Sequence, residues 1–414
     1  MGGFLLVRAL LLALSLALCA GLLAGCGGEV DITPPKASAD TAGERAGEAQ
    51  QALDGLVEAV RAGTRDHAVA LAAPDSRELL GWVHDNARAL RIDDLAMRYV
   101  DEGPALDARE RAELEPEAWR ASVQLEYSYR GFDESPARIE TSVVFVPGSD
   151  RAGIASFGGA EERSPLWLVD RLSVVRTSKS LLVVAGATPG RYAGLVTRAL
   201  LQVRRTLPDW DGPLLVEVPR SRAELEAALQ SEPGQYDNIA AVTTTADGSL
   251  APGAPVRVFV NPAVFGKLKP RGAQVVMSHE ATHVATEATF TSMPTWLLEG
   301  FADFVALEDA GIPVEVAAGQ ILDRIREDGL PRRLPTSADL DPTATGLGAT
   351  YEEAWLACRF LAREYGTDRL VSFYRKVSGG ASADEAFRTE LGATQPRFVA
   401  QWRADLAGLA GVAR

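Results

Sequence analysis

Cysteine is scarce in this 414-residue chain: Cys19, Cys26 and Cys358 are the whole supply. Two of the three fall in the first 26 residues, so a disulfide framework is excluded and hydrophobic burial must hold the fold. Positive charge is in deficit, with 42 Lys and Arg against 56 Asp and Glu and a net charge of −14. That balance argues against a nucleic-acid partner. Lysine is rare beside arginine and alanine is abundant, which marks a GC-rich genome rather than a function. No internal repeat and no low-complexity tract interrupts the chain. Histidine occurs four times, and two of the four lie four residues apart in MSHEATHVATEA, residues 277 to 288.

The long apolar run is N-terminal. MGGFLLVRALLLALSLALCAGLLAGC carries one early cation, Arg8, then an uncharged stretch from Ala9 to Leu23 that closes on Leu23-Ala24-Gly25-Cys26. A short apolar run with small residues before a cysteine resembles a bacterial lipoprotein signal. The resemblance implies cleavage after Gly25, lipid on Cys26, and a chain held on the extracytoplasmic face of the cell membrane. An uncleaved anchor is the alternative, since Phe4 to Leu23 nearly spans a bilayer. Residues 26–45 are small, polar and proline-containing, the composition of a flexible tether. About 390 residues remain after the signal, which predicts two domains more readily than one.

Residues 46–177 read as a helical segment followed by strands. AGEAQQALDGLVEAVRAG has helical apolar spacing, and WRASVQLEYSYRG alternates Ala121, Val123, Leu125, Tyr127 and Tyr129 in the period-two pattern of a half-buried strand. RIETSVVFVPG and PLWLVDRLSVVRT read as further strands. Helices leading into a curved antiparallel sheet resemble the cone-shaped fold of nuclear transport factor two. Residues 180–414 begin with the strand SLLVVAG, the amphipathic helix GRYAGLVTRALLQVRRTLP and the strand GPLLVEVP. Two more strands, NIAAVTTTADG and PVRVFVNP, follow, and from Arg271 onward almost everything reads helical. The expected class is α+β: a helix-plus-sheet accessory domain, then a small sheet with a helical half.

On an α-helix, His279 and His283 share a face one turn apart, so both imidazoles can reach one ion. Glu280 is rotated about 100° off that row, where it can address a water instead of the metal. This is the physical content of the HExxH motif. At this composition the pentad is expected by chance roughly 0.003 times, the false-positive check on such a motif.

A catalytic zinc site takes three protein ligands and keeps a fourth position open. Glu287 is too far along the helix axis, about 12 Å from His279. SMPTWLLEGFADFVALEDAG offers Glu299, an acid that breaks into the apolar stretch of a helix opened by Pro294. The intervening loop ATFTSMP is long enough to reverse the chain and pack the two helices antiparallel. Asp303, four residues beyond Glu299 on the same face, is placed to accept the second ring N–H of His279.

HExxH followed by Glu-Gly-x-x-Asp on the next helix resembles the gluzincin metallopeptidases, and PTWLLEGFADFV looks most like their peptidase-MA-like branch. The resemblance implies one zinc per chain, held by His279, His283 and Glu299, with Glu280 as general base. It also implies an oxyanion-stabilising tyrosine on a later helix. Tyr351 in GATYEEAWLACRFLAREYG is favoured over Tyr365, which closes the helix beside Gly366. The Gly-Ala-Met-Glu-Asn element that grips a substrate amino terminus is absent, and no basic residue follows Tyr351 as it does in the aminopeptidase relatives. That leaves an endopeptidase acting on peptide or protein substrates, or an unusual hydrolase, with zinc polarising the scissile carbonyl and Glu280 moving the proton. The other class is a lipid-anchored binding protein with a structural or vestigial zinc site, which would need no base. His67 and His84 read as ordinary helix residues, and Cys358 as a small core hydrophobe.

Overall fold

The first layer grows from two helices whose apolar residues recur every three or four positions. The computed structural model describes residues 41–148, 151–159, 162–341 and 344–413. The expected signal, the lipidated Cys26 and the tether up to residue 40 lie outside the described residues. The last stretch of the expected tether is different: Thr41 opens helix α1, Thr41–Ala62. Ala49, Ala52, Leu53, Leu56 and Val60 of α1 and Leu80, Val83, Ala87 and Leu90 of α2, Arg77–Leu90, form the buried stripes.

These helices cover a four-stranded antiparallel meander: β1 Ile92–Glu102, β2 Trp119–Tyr129, β3 Ala137–Val146 and β4 Gly153–Phe157. β2 buries Ala121, Val123, Leu125 and Tyr127 as its alternation predicts. β1 and β4 were not legible. β1 opens with an Asp pair, and its pairing with β2 shifts register between Asp93 and Ala96, where Asp94 sits at φ 50°.

A second sheet has the order β5-β6-β7-β9-β8. Its strands are β5 Leu172–Arg176, β6 Ser180–Ala185, β7 Leu214–Val218, β8 Ala241–Thr245 and β9 Val256–Val260. β6, β7 and β9 run parallel, with α3, Gly190–Thr206, crossing between β6 and β7, and α4, Arg222–Leu229, following β7. β5 and β8 are antiparallel edges. PLWLVDRLSVVRT, expected as strand throughout, is instead a short helix Leu166–Val169 followed by β5. β5 pairs with β6 across the turn at 177–180, so it belongs to the second sheet rather than the first. Ala42–Arg414 form one compact unit.

The second sheet is buried on both faces. Leu182, Val184, Val216, Val218, Val258 and Val260 pack into the core shared with the helical half. Leu181, Val183 and Leu215 pack into the core of the first layer. On that same inner face Arg257 donates to Glu217 Oε1 at 2.8 Å and to Asp133 Oδ2 at 3.1 Å. Its guanidinium lies 4.1 Å from the Tyr129 ring centroid. A charge this deeply buried is tolerated only when paired, and the pairing ties β7 and β9 to β2.

The helical half comprises α5 Pro270–Ala285, α6 Thr295–Glu308, α7 Gly319–Asp328, α8 Leu347–Tyr365, α9 Thr367–Ser378, α10 Ala383–Leu391 and α11 Gln395–Ala410. None of the described helices is long and apolar enough to cross a membrane. The class is α+β, with an antiparallel N-terminal sheet and a helical C-terminal half.

Candidate metal centre

Helix α5 starts at Pro270, whose fixed φ and missing N–H suit a first helical position. Its Ala273, Met277 and Ala281 stripe is buried in the core shared with α3 and the second sheet. A buried polar network fixes its roll. Ser278 Oγ donates to Gln202 Oε1 on α3 at 2.8 Å, and Gln202 Nε2 donates to the carbonyls of Val305 and Ala306 at 2.9 and 3.0 Å. These bonds hold α5, through α3, against the last turns of α6.

The chain leaves α5 through Glu287, a left-handed residue at φ 52°, and returns as α6 after Pro294. At the contact of α6 with α8, Gly300 is required by space. A Cβ there would lie 2.4 Å from the carbonyl oxygen of Ala354 and 3.0 Å from Cys358 Sγ. Its absence lets α8 approach closely and bring Tyr351 toward Glu299. Cys358 is fully buried in this packing, and burial pushes its thiol pKa up.

The expected residues converge. His283 Nε2 lies 3.0 Å from His279 Nε2, and Glu299 Oε2 lies 3.3 and 3.6 Å from the two in turn, His279 being the nearer. Metal–ligand bonds of about 2.0–2.2 Å in a tetrahedron place donor atoms roughly 3.3 Å apart, so the three spacings fit one zinc ion. The donor chemistry fits too, two imidazoles and a carboxylate being a zinc set. His279 Nδ1 faces Asp303 Oδ1 at 2.8 Å, which aims Nε2 at the shared point. His283 Nδ1 is buried and meets no hydrogen-bond partner among the described residues. Glu287, at the helix end, stands outside this cluster and lines another cavity.

The electrostatics match a cation site. Burial works against a charged His279, but Asp303 and Glu299 outweigh it and hold its pKa well above the ordinary histidine value. Burial also works to raise Glu299, yet His283 and His279 outweigh it and hold that carboxyl well below its usual range. Two carboxylates against two imidazoles form a site whose protons a divalent ion can displace.

Glu280 is buried next to the row, and its carboxylate accepts from Thr243 Oγ1 on β8 at 2.7 Å. A cavity of about 280 Å³ joins His279, Glu280, His283, Glu299 and Tyr351 to Ala241, Val242 and Thr243 of the β8 edge and to Ile239 just before it. The Tyr351 hydroxyl meets no hydrogen-bond partner among the described residues, and burial, then the charges of Glu299, Asp303 and Glu280, push its phenol well above the usual value. Tyr365 is elsewhere, its hydroxyl 3.5 Å from Gln401 Oε1 on α11. His67 is an exposed helix residue. His84 is buried in α2 with Nδ1 3.2 Å from Asp85. Thr243 and the Ser278–Gln202 pair had no signal in the sequence, since their partners are 37 and 76 residues away.

No family model matches the chain, and no curated protein matches it significantly. Among solved structures, a variant of the M1 zinc metallopeptidase from Deinococcus radiodurans is similar, at 14% identity and a TM-score of 0.33, over 76% of this chain and 61% of that one. The same variant bound to a Tyr-Ser-Ala substrate gives 15% identity and a TM-score of 0.32, over 75% and 61%. The chain thus spans less than two thirds of the length of these neighbours. The likeness is too distant to place it in their family.

Proposed function

We propose that this chain is a zinc-dependent peptidase, acting as an endopeptidase on peptides or proteins at the extracytoplasmic face of a cell membrane. The observation that carries the reading is the convergence of His279 Nε2, His283 Nε2 and Glu299 Oε2 within 3.6 Å of one another, beside the buried acid Glu280. His279, His283 and Glu299 would hold the ion. A zinc ion bound there supplies Lewis-acid polarisation of an amide carbonyl and makes water acidic near neutral pH.

The chain's own groups do the rest. Asp303 accepts the Nδ1 proton of His279, fixing the tautomer and leaving Nε2 as a lone-pair donor. Glu280 takes a proton from the attacking water and returns it to the leaving amine. Tyr351 keeps its phenolic proton, because burial and the nearby carboxylates disfavour the phenolate. It can therefore donate a hydrogen bond to the oxygen on which negative charge develops. β8 is an edge strand that lines the same cavity, so an extended peptide has main-chain partners beside the base.

The Leu23-Ala24-Gly25-Cys26 ending of the apolar run supports the membrane placement, with lipid on Cys26 as the anchor. Metal analysis tests the core of the reading. The purified chain is expected to hold about one zinc, the stoichiometry of a three-ligand site with one open position, and to lose it in His279→Ala, His283→Ala or Glu299→Ala. A wild-type chain that takes up no zinc, or a Glu299→Ala variant that keeps all of it, contradicts the ligand set.

A further inference from the structure

The base of this site is held from an unexpected side. Thr243 sits at the middle of β8 and points its hydroxyl across the gap between the sheet and α5. Oγ1 lies 2.7 Å from Glu280 Oε2 and 3.1 Å from the Glu280 main-chain oxygen. A threonine hydroxyl has one proton to give, and an ionised carboxylate only accepts. The shorter contact and the charged acceptor direct that proton to Oε2. Glu280 is 7% exposed, and no other described group hydrogen-bonds its carboxylate.

We propose that Thr243 is a positioning residue for Glu280, engaging Oε2 and leaving Oε1 as the oxygen that receives the proton during hydrolysis. The proposal rests on Glu280 acting as the base. A carboxylate rotates through a broad, two-fold torsion about its last bond. In a buried pocket without a donor, neither oxygen would have a fixed direction. One donor on one oxygen removes that freedom, and effective placement of a reacting group depends on such restriction. The geometry also couples the base to the strand beside which substrate would lie. Ala241 and Val242 line the cavity with Thr243, so a shift of β8 moves the donor with it.

The test compares Thr243→Val, which keeps the shape and removes the donor, with Thr243→Ser, which keeps the donor. Each is made in the zinc-loaded full chain and assayed on a peptide that the wild type cleaves. Thr243→Val is expected to lower kcat about 10- to 100-fold, the value of a hydrogen bond to a charged group, with KM and zinc content unchanged. Thr243→Ser is expected to restore most of the rate. In a Glu280→Gln background, Thr243→Val should add no further loss, because both act on one group.

A second readout needs neither metal nor turnover. In the metal-free chain, Thr243→Val should lower the melting temperature when Glu280 is present and lower it much less when Glu280 is alanine, where only the main-chain oxygen at 3.1 Å is left to accept. Equal melting shifts in both backgrounds overturn the proposal, as does a raised KM at constant kcat, which would make Thr243 a substrate contact. Full activity in Thr243→Val with an inactive Glu280→Gln overturns the positioning role alone. Full activity in Glu280→Gln overturns the hydrolytic reading and this proposal with it.

Discussion

His279 and Asp303 meet across two helices, the imidazole Nδ1 2.8 Å from the carboxylate Oδ1. The contact sets which nitrogen of His279 faces Glu299 and His283. Replacing the acceptor by an apolar group of similar size should cost zinc affinity without removing a ligand. Asp303→Leu is expected to weaken zinc binding about 10- to 100-fold, the usual effect of losing such an outer partner, in competition with a chelating dye. Unchanged affinity would show that Asp303 does not orient the ligand.

A second expectation concerns packing at the same helix. Alanine at position 300 would place a methyl 2.4 Å from the carbonyl oxygen of Ala354, so α6 and α8 must separate. Overpacking of this kind costs about 1–3 kcal/mol, against less than about 1 kcal/mol gained from helix propensity. Gly300→Ala should therefore lower the urea midpoint. Gly47, exposed on α1 with open space around it, is the control. Gly47→Ala should stabilise by about 0.5–1 kcal/mol. A stabilised Gly300→Ala would contradict the close approach.

These two cases show what the sequence made legible. The histidine pair could be read because a spacing of four fixes a shared face whatever the tertiary fold. Glu299 stood out as an acid in an apolar run, and Asp303 followed from helical spacing. Thr243 was invisible, since its partner is set by how β8 packs on α5. The Leu166–Val169 helix looked like a strand because Leu, Trp and Val carry no helical period over four residues. Glu217 and Arg257 each sit as one charge inside an apolar strand, a pattern that marks a buried pair once both strands are known to be central.

The pH dependence of stability offers another check. Glu353 is buried beside Arg324, and desolvation outweighs that guanidinium, so its pKa is pushed up from 4.5 to about 7. The folded chain thus binds more protons than the unfolded one between these values, and stability falls as pH rises through that window. The contribution is fully present below 4.5 and lost above about 7, worth up to about 3 kcal/mol at 1.36 kcal/mol per unit. Glu353→Gln should flatten this part of the curve between pH 5 and 7.5. A variant with the wild-type slope would show that Glu353 does not titrate there.

The anchor has its own test. Cys26→Ser removes the thiol on which lipid would be placed. The variant should accumulate unprocessed or leave the membrane fraction. Membrane recovery at the normal processed size would contradict the lipid anchor.

The central claim, that this site hydrolyses amides with Glu280 as the base, is tested most directly by Glu280→Gln. The glutamate lies off the ligand row, so the substitution should leave fold and zinc content intact. Cleavage of a peptide library by the zinc-loaded variant, measured against wild type, is expected to fall about 10²- to 10⁴-fold, the usual worth of a general base. A variant that holds zinc and cleaves the same peptides at the wild-type rate would contradict the account.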